Sequence, residues 1–97
     1  MDTTMVTRFH AAPGREDLLA ELLAEGRDRM QAAVGCESFR LLRDEGDPRT
    51  LMFLQRWASH DAHDRAFAEL IVQTGHLDKV LAALDEPIVQ HTYQAVS

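Results

Sequence analysis

Residues 36–58 read CESFRLLRDEGDPRTLMFLQRWA, and the fold turns on how this stretch divides. Two apolar-rich runs, CESFRLLR and TLMFLQRWA, flank DEGDPR, which concentrates the Asp, Gly and Pro that favour turns. The division predicts a β-hairpin with arms at 36–44 and 50–58. Side chains along a strand alternate between faces, so the second arm sets Leu51, Phe53 and Trp57 on one face and Met52 and Leu54 on the other. Apolar residues on both faces mean that both faces are covered. Helices can cover one. A second copy of the chain is the simple cover for the other.

On the N-terminal side, TMVTRFHA (4–11) reads as a strand that ends at Pro13-Gly14. REDLLAELLAEGRDRMQAAV (15–34) spaces Leu18, Leu19, Leu22, Leu23, Met30, Ala33 and Val34 by three and four, the pattern of an amphipathic helix. Glu16 and Asp17 suit its positive end, Gly26 weakens it by up to ~1 kcal/mol relative to Ala, and Gly35 closes it. On the C-terminal side, Ser59 is a good N-cap for a helix running to about Leu70. LDKVLAALD (77–85) is helix-like, Pro87 stops it, and IVQHTYQAV (88–96) reads as a last strand. The order is β-α-β-β-α-β with the second helix broken in two. That is an α+β, ferredoxin-like pattern, an antiparallel sheet with helices on one face, and the expected unit is a single domain, 1–97.

The chain has 97 residues, 45% hydrophobic and 27% charged, with a net charge of −6 and no run of Lys or Arg. A chain this short buries under ~70% of the surface that its unfolded form exposes, so association with another copy would supply missing burial. An acidic surface repels phosphate backbones, which argues against nucleic acid and anionic membranes as partners. There is no apolar run of the ~18 residues that a span requires and no signal-peptide pattern. Cys36, the single cysteine, has no internal disulfide partner. These features lead to the expectation of a cytoplasmic protein.

The chemistry-bearing residues concentrate in RWASHDAHDRAF (56–67). His60, His63 and Asp64 can share a helix face, but a zinc or iron site needs three or four ligands with oriented second-shell partners. Neither a HExxH nor a paired-cysteine motif is present. His60, Asp61 and Asp64 therefore read as the polar start of a helix, and no metal is expected. His63 falls on the inward stripe with Ala66, Phe67 and Leu70. It is either a satisfied core residue or, beside a pocket, an acid/base group near neutral pH. Trp57 ends an apolar strand just before a helix cap, the place of a core anchor. His76, beside Gly75, either points inward or sits exposed at a helix start. Cys36 has no cationic neighbour in sequence and reads as structural. No Gly-rich phosphate loop, dinucleotide fingerprint or Ser-His-Asp elbow is present, so a nucleotide-bound cofactor has no support.

Two pieces of the chain resemble the antibiotic biosynthesis monooxygenase family, within the dimeric α+β barrel group. One is the opening strand with APGRED (12–17) leading into the first helix. The other is GCESFRLLRDEGDPRTLMFLQRWAS (35–59): Gly-Cys, a hairpin strand, an acidic Asp-Pro turn, an apolar strand and Arg-Trp-x-Ser. The resemblance implies a homodimer with two sheets packed face to face and a pocket between sheet and helices in each subunit. It also implies oxidation of a quinol, phenol or anthrone-type aromatic by O2, with no cofactor. Trp57 matches the family's tryptophan. His63 stands where relatives carry an aromatic, and His76 resembles the histidine of a Ser-Pro-His-Phe-like stretch, here Thr-Gly-His-Leu. Trp57, His63 and His76 are thus the implied catalytic residues, with Thr7, Phe53 and Phe67 expected against the substrate. A neighbouring branch of the fold binds and degrades haem, and His76 falls at its haem-ligating histidine. Thr7 and Ala66, however, replace that branch's asparagine and second tryptophan. The third alternative is a catalytically silent dimer that binds a small molecule.

Overall fold

The computed structural model describes residues 2–97. The elements are β1 (Thr3–His10), α1 (Glu16–Gln31), β2 (Cys36–Asp44), β3 (Asp47–Trp57), α2 (His60–Phe67) with a π-helical continuation (Ala68–Val72), α3 (His76–Ala82) and β4 (Val89–Tyr93). The strands form one antiparallel sheet in the order β2-β3-β1-β4. This is the ferredoxin-like arrangement that the sequence predicts.

Alternation is sharpest in β1, where Thr3, Met5, Thr7 and Phe9 are buried and Thr4, Val6, Arg8 and His10 are half-exposed. Its register with β3 pairs Met5 with Gln55, Thr7 with Phe53 and Phe9 with Leu51. Both central strands therefore turn the same set inward. β4 joins with Gln90 opposite Thr7 and Val89 opposite Arg8. The hairpin closes over Glu45-Gly46, where the Gly46 N–H donates to Asp44 Oδ1 at 2.7 Å. β3 thus starts three residues before the predicted arm. A break in the β2–β3 register at Arg43/Asp44 accommodates Pro48, which has no N–H to pair, and the Ala11 N–H reaches the Arg49 carbonyl.

The helices lie over the inner face. In α1 the buried stripe is Leu19, Leu23, Gly26 and Met30. Leu18, expected inward, lies one residue off that stripe and is exposed. Val34, also expected inward, falls beyond the helix end and is fully in solvent. The turn there closes at Gly35, whose φ is +91° and where a Cβ would stand 2.6 Å from the Ala62 Cβ. The α1–β2 turn thus packs directly on α2. Ser59 caps α2 as expected, its Oγ accepting from the Ala62 N–H at 3.1 Å. The regular helix stops at Phe67, short of Leu70, and widens into the π turn closed by the Gln73 N–H on the Ala68 carbonyl. The Leu70 carbonyl takes its hydrogen bonds from Arg29 Nη1 and the Thr74 hydroxyl.

Two apolar clusters result. One holds Phe9, Leu19, Leu23, Leu51 and Val80; the other holds Met5, Met30, Phe39, Trp57, Ala66 and Ile71. Phe53 packs against both, edge-on to Phe9 at 5.1 Å and to Phe39 at 4.7 Å.

At one end of the sheet, His10 ties three segments together. Its Nδ1 meets Asp85 at 2.5 Å and Glu86 at 3.1 Å, and its Nε2 meets Asp47 at 3.3 Å. The hydrogen bond that the imidazole donates to Asp85 holds its pKa above its ordinary value. Asp85 is held low mainly by His10, and Asp47 mainly by the Thr50 hydroxyl. The raised histidine contributes stability that is complete below about pH 6.5 and is lost as pH climbs through its folded value. The depressed carboxylates contribute above about pH 3.9, and that part is lost as pH falls through their folded values. The urea midpoint should therefore be highest between about pH 4 and 6.5. His10→Asn should remove most of the decline above that window. A decline that survives unchanged in the variant refutes the assignment to His10.

Candidate functional site

The seam between the two apolar clusters is not completely filled. It leaves a cavity of about 90 Å³ between sheet and helices, lined from both clusters and by Thr7, Phe53, Gln55, His63, Phe67, His76 and Gln90. All five residues expected at a pocket wall other than Trp57 (Thr7, Phe53, His63, Phe67 and His76) thus meet there. Trp57 is completely buried behind the lining. Its ring stands edge-on to His63 at 5.4 Å, and His63 stacks on Phe67 at 5.8 Å.

His63 owes its place to the Ser59 cap, which starts α2 so that position 63 faces the sheet. Its Nδ1 lies 3.0 Å from Asp64 Oδ1. A carboxylate only accepts, so Nδ1 carries the proton and the lone pair of the neutral ring is on Nε2. No hydrogen bond within the described residues engages that Nε2. Asp64, read from sequence only as a solvated helix-start acid, is exposed yet orients the imidazole. The second histidine is held differently. His76 Nε2 lies 2.7 Å from the Leu22 carbonyl, which obliges Nε2 to donate. Its Nδ1 faces Glu25 at 3.8 Å. The imidazole occupies space that α1 leaves at Gly26, where a Cβ would stand 3.4 Å from Nε2.

On the sheet side, polar groups form a chain across the inner face. Trp57 Nε1 donates to Gln55 Oε1 at 2.7 Å, Gln55 Nε2 to Thr7 Oγ1 at 3.4 Å, and Thr7 Oγ1 to Gln90 Oε1 at 2.8 Å. Neither glutamine was singled out from sequence. A polar residue on the inward face of an apolar strand, as Gln55 is, was the available signal. Gln90 gave none without the β1–β4 register.

HDAHD forms no cluster fit for a metal. Among the described residues, the His/Cys/Asp/Glu trio close enough to share an ion is His10, Asp85 and Glu86, at the end of β1, where Arg8 and Arg49 already pair with the acids. Burial pushes the Cys36 thiol up, which disfavours the reactive thiolate.

The model of the family described as "Antibiotic biosynthesis monooxygenase" matches residues 3–76. The chain belongs to that family. No curated protein matches the sequence, but solved structures do. Rv0793 of Mycobacterium tuberculosis superposes with a TM-score of 0.89 at 20% identity, over 100% of this chain and 97% of its own. A mutant of SnoaB, a cofactor-independent oxygenase from Streptomyces nogalater, gives 0.84 at 20%, over 99% and 94%. A conserved protein from Methanosarcina mazei gives 0.88 at 14%, over 97% and 92%. At these identities the likeness carries the fold alone. Among the described residues, no helix is long and apolar enough to cross a membrane.

Trp57 is the residue on which both wall and polar chain rest. Trp57→Ala should cost ~3–5 kcal/mol by urea denaturation, the range for deleting a buried large aromatic. Trp57→Phe keeps most of the apolar volume and should cost ~1–3 kcal/mol, chiefly from leaving the Gln55 carbonyl without its donor. A Trp57→Phe variant as stable as the wild type would contradict the role given to the indole N–H.

Proposed function

We propose that the protein is a cofactor-independent monooxygenase that uses O2 to hydroxylate a single-ring quinol or phenol. The observation that carries this is the state of His63: Nδ1–H held by Asp64 and a basic Nε2 left for a ligand at an apolar wall. Taking the quinol case, Nε2 removes a hydroxyl proton. The electron-rich phenolate then passes an electron to O2, and the radical pair joins at a ring carbon as a peroxide. Protonation and loss of water leave one oxygen on the ring, so quinol and O2 give hydroxyquinone and water. The protein contributes a dry cavity, orientation and the proton transfers.

Cavity size narrows the substrate class. A cavity of about 150 Å³ is known to take one benzene ring, and here about 90 Å³ is open. One ring requires a modest outward shift of half-buried Phe67 or exposed Gln90, whereas an anthrone, with three fused rings, is far too large. Haem fits worse still. It exceeds this volume, and His76 would have to surrender its bond to Leu22 to present Nε2 to iron. Two tests apply. His63→Gln should fold normally and lose ~10²–10⁴-fold in oxygen uptake with single-ring hydroquinones. Wild-type rates in the variant would remove His63 from the reaction. No uptake by the wild-type protein, with ring binding retained, would leave the silent binding dimer.

The working unit in this proposal is a homodimer. The outer sheet face carries Val6, Leu42, Met52 and Leu54, with Val89 and Tyr93 exposed beside them, and a second copy packed sheet to sheet would cover this set. Sedimentation at micromolar concentration should detect the dimer as the smallest folded species. A stable folded monomer there overturns it.

A further inference from the structure

We infer that Gln90 is the residue that holds the substrate's oxygen, through its side-chain N–H groups; this rests on the cavity being the substrate site. The direction of the polar chain decides it. An indole N–H can only donate, so the 2.7 Å contact makes Gln55 present its carbonyl to Trp57 and its NH2 to Thr7. The Thr7 oxygen is then the acceptor of that amide and spends its one proton on Gln90 Oε1, 2.8 Å away. Gln90 must therefore turn its NH2 away from Thr7. It is the one exposed residue of the lining, so that NH2 stands at the cavity mouth with donors to offer. Trp57, which lies outside the cavity lining, is thus joined through Gln55 and Thr7 to a side chain on the edge strand β4.

A site built this way selects for an oxygen that accepts. It favours a phenolate or quinone carbonyl over a bare ring, and charge-assisted bonds to a phenolate are the stronger ones. Deprotonation at His63 Nε2 would produce the species that Gln90 holds, so the two walls act on one substrate in complementary senses. Gln90 lies beyond the residues matched by the family model, 3–76, so the inference concerns this chain rather than the family pattern.

The test uses binding rather than turnover. Para-nitrophenol forms its phenolate near neutral pH and is followed by visible absorbance; para-nitrotoluene is the same ring without the oxygen. Wild-type protein should bind the phenolate about tenfold or more tighter than nitrotoluene, the lower range for hydrogen bonds to a charged group. Gln90→Glu keeps an oxygen for the Thr7 hydroxyl and replaces the donors by a carboxylate. It should lose the phenolate preference and still bind nitrotoluene. Gln90→Leu should bind both probes alike. A phenolate preference that survives in both variants, or is absent from the wild type while nitrotoluene binds, overturns the role of Gln90 and leaves the cavity as a ring-binding site. If neither probe binds the wild-type protein, the cavity reading fails and the role of Gln90 with it.

Discussion

Everything in this molecule depends on the register between β1 and β3. A strand's side chains alternate, so a slip of one residue would carry either Met5 and Phe9 or Leu51 and Trp57 to the outer face. The observed pairing instead sets them together under the helices. It also brings two polar residues, Thr7 and Gln55, into an apolar interior. Buried polar groups are costly unless they are hydrogen-bonded. These two satisfy each other and then recruit Trp57 on one side and Gln90 on the other. The polar chain is thus a consequence of register, and the register is enforced by the apolar residues around it.

Much of the fold was legible because it is written in local periodicity. The hairpin, the first helix, the Ser59 cap and the break in the second helix each leave a signature within a dozen residues. The misplacements share a cause. Val34 continues the three-and-four spacing of α1, but the helix ends before it in a turn shaped by Gly35 against Ala62. β3 begins early because Asp47–Arg49 pair with neighbours that only the folded sheet brings near. The π turn after Phe67 is likewise supported from α1, through Arg29. None of these partners is close in sequence.

The candidate site was legible as single residues of a cavity lining and illegible as a place. Thr7, Phe53, His63, Phe67 and His76 were all singled out, and all line one cavity. An unfilled seam between two clusters is a property of packing, however, and no residue type announces it. The two imidazoles illustrate the gap. From sequence His63 and His76 had equivalent standing. In the structure one donates to an exposed carboxylate and keeps its other nitrogen uncommitted, while the other pins α3 to the backbone of α1. Which nitrogen is free follows from what the neighbouring atom can accept.

Gly26 illustrates how a cavity and a helix can compete for the same atoms. Its position in the interior of α1 weakens the helix, and the bare backbone is what admits His76 alongside. A methyl group there would meet that ring and the Ile71 side chain at ordinary contact distances, so alanine fits and would strengthen the helix. It would do so on the wall of the cavity. The usual recipe for heat-hardening a protein, replacing helical glycines, would here shrink the cavity proposed to take the substrate. A screen of variants on melting temperature alone would select closure of the site.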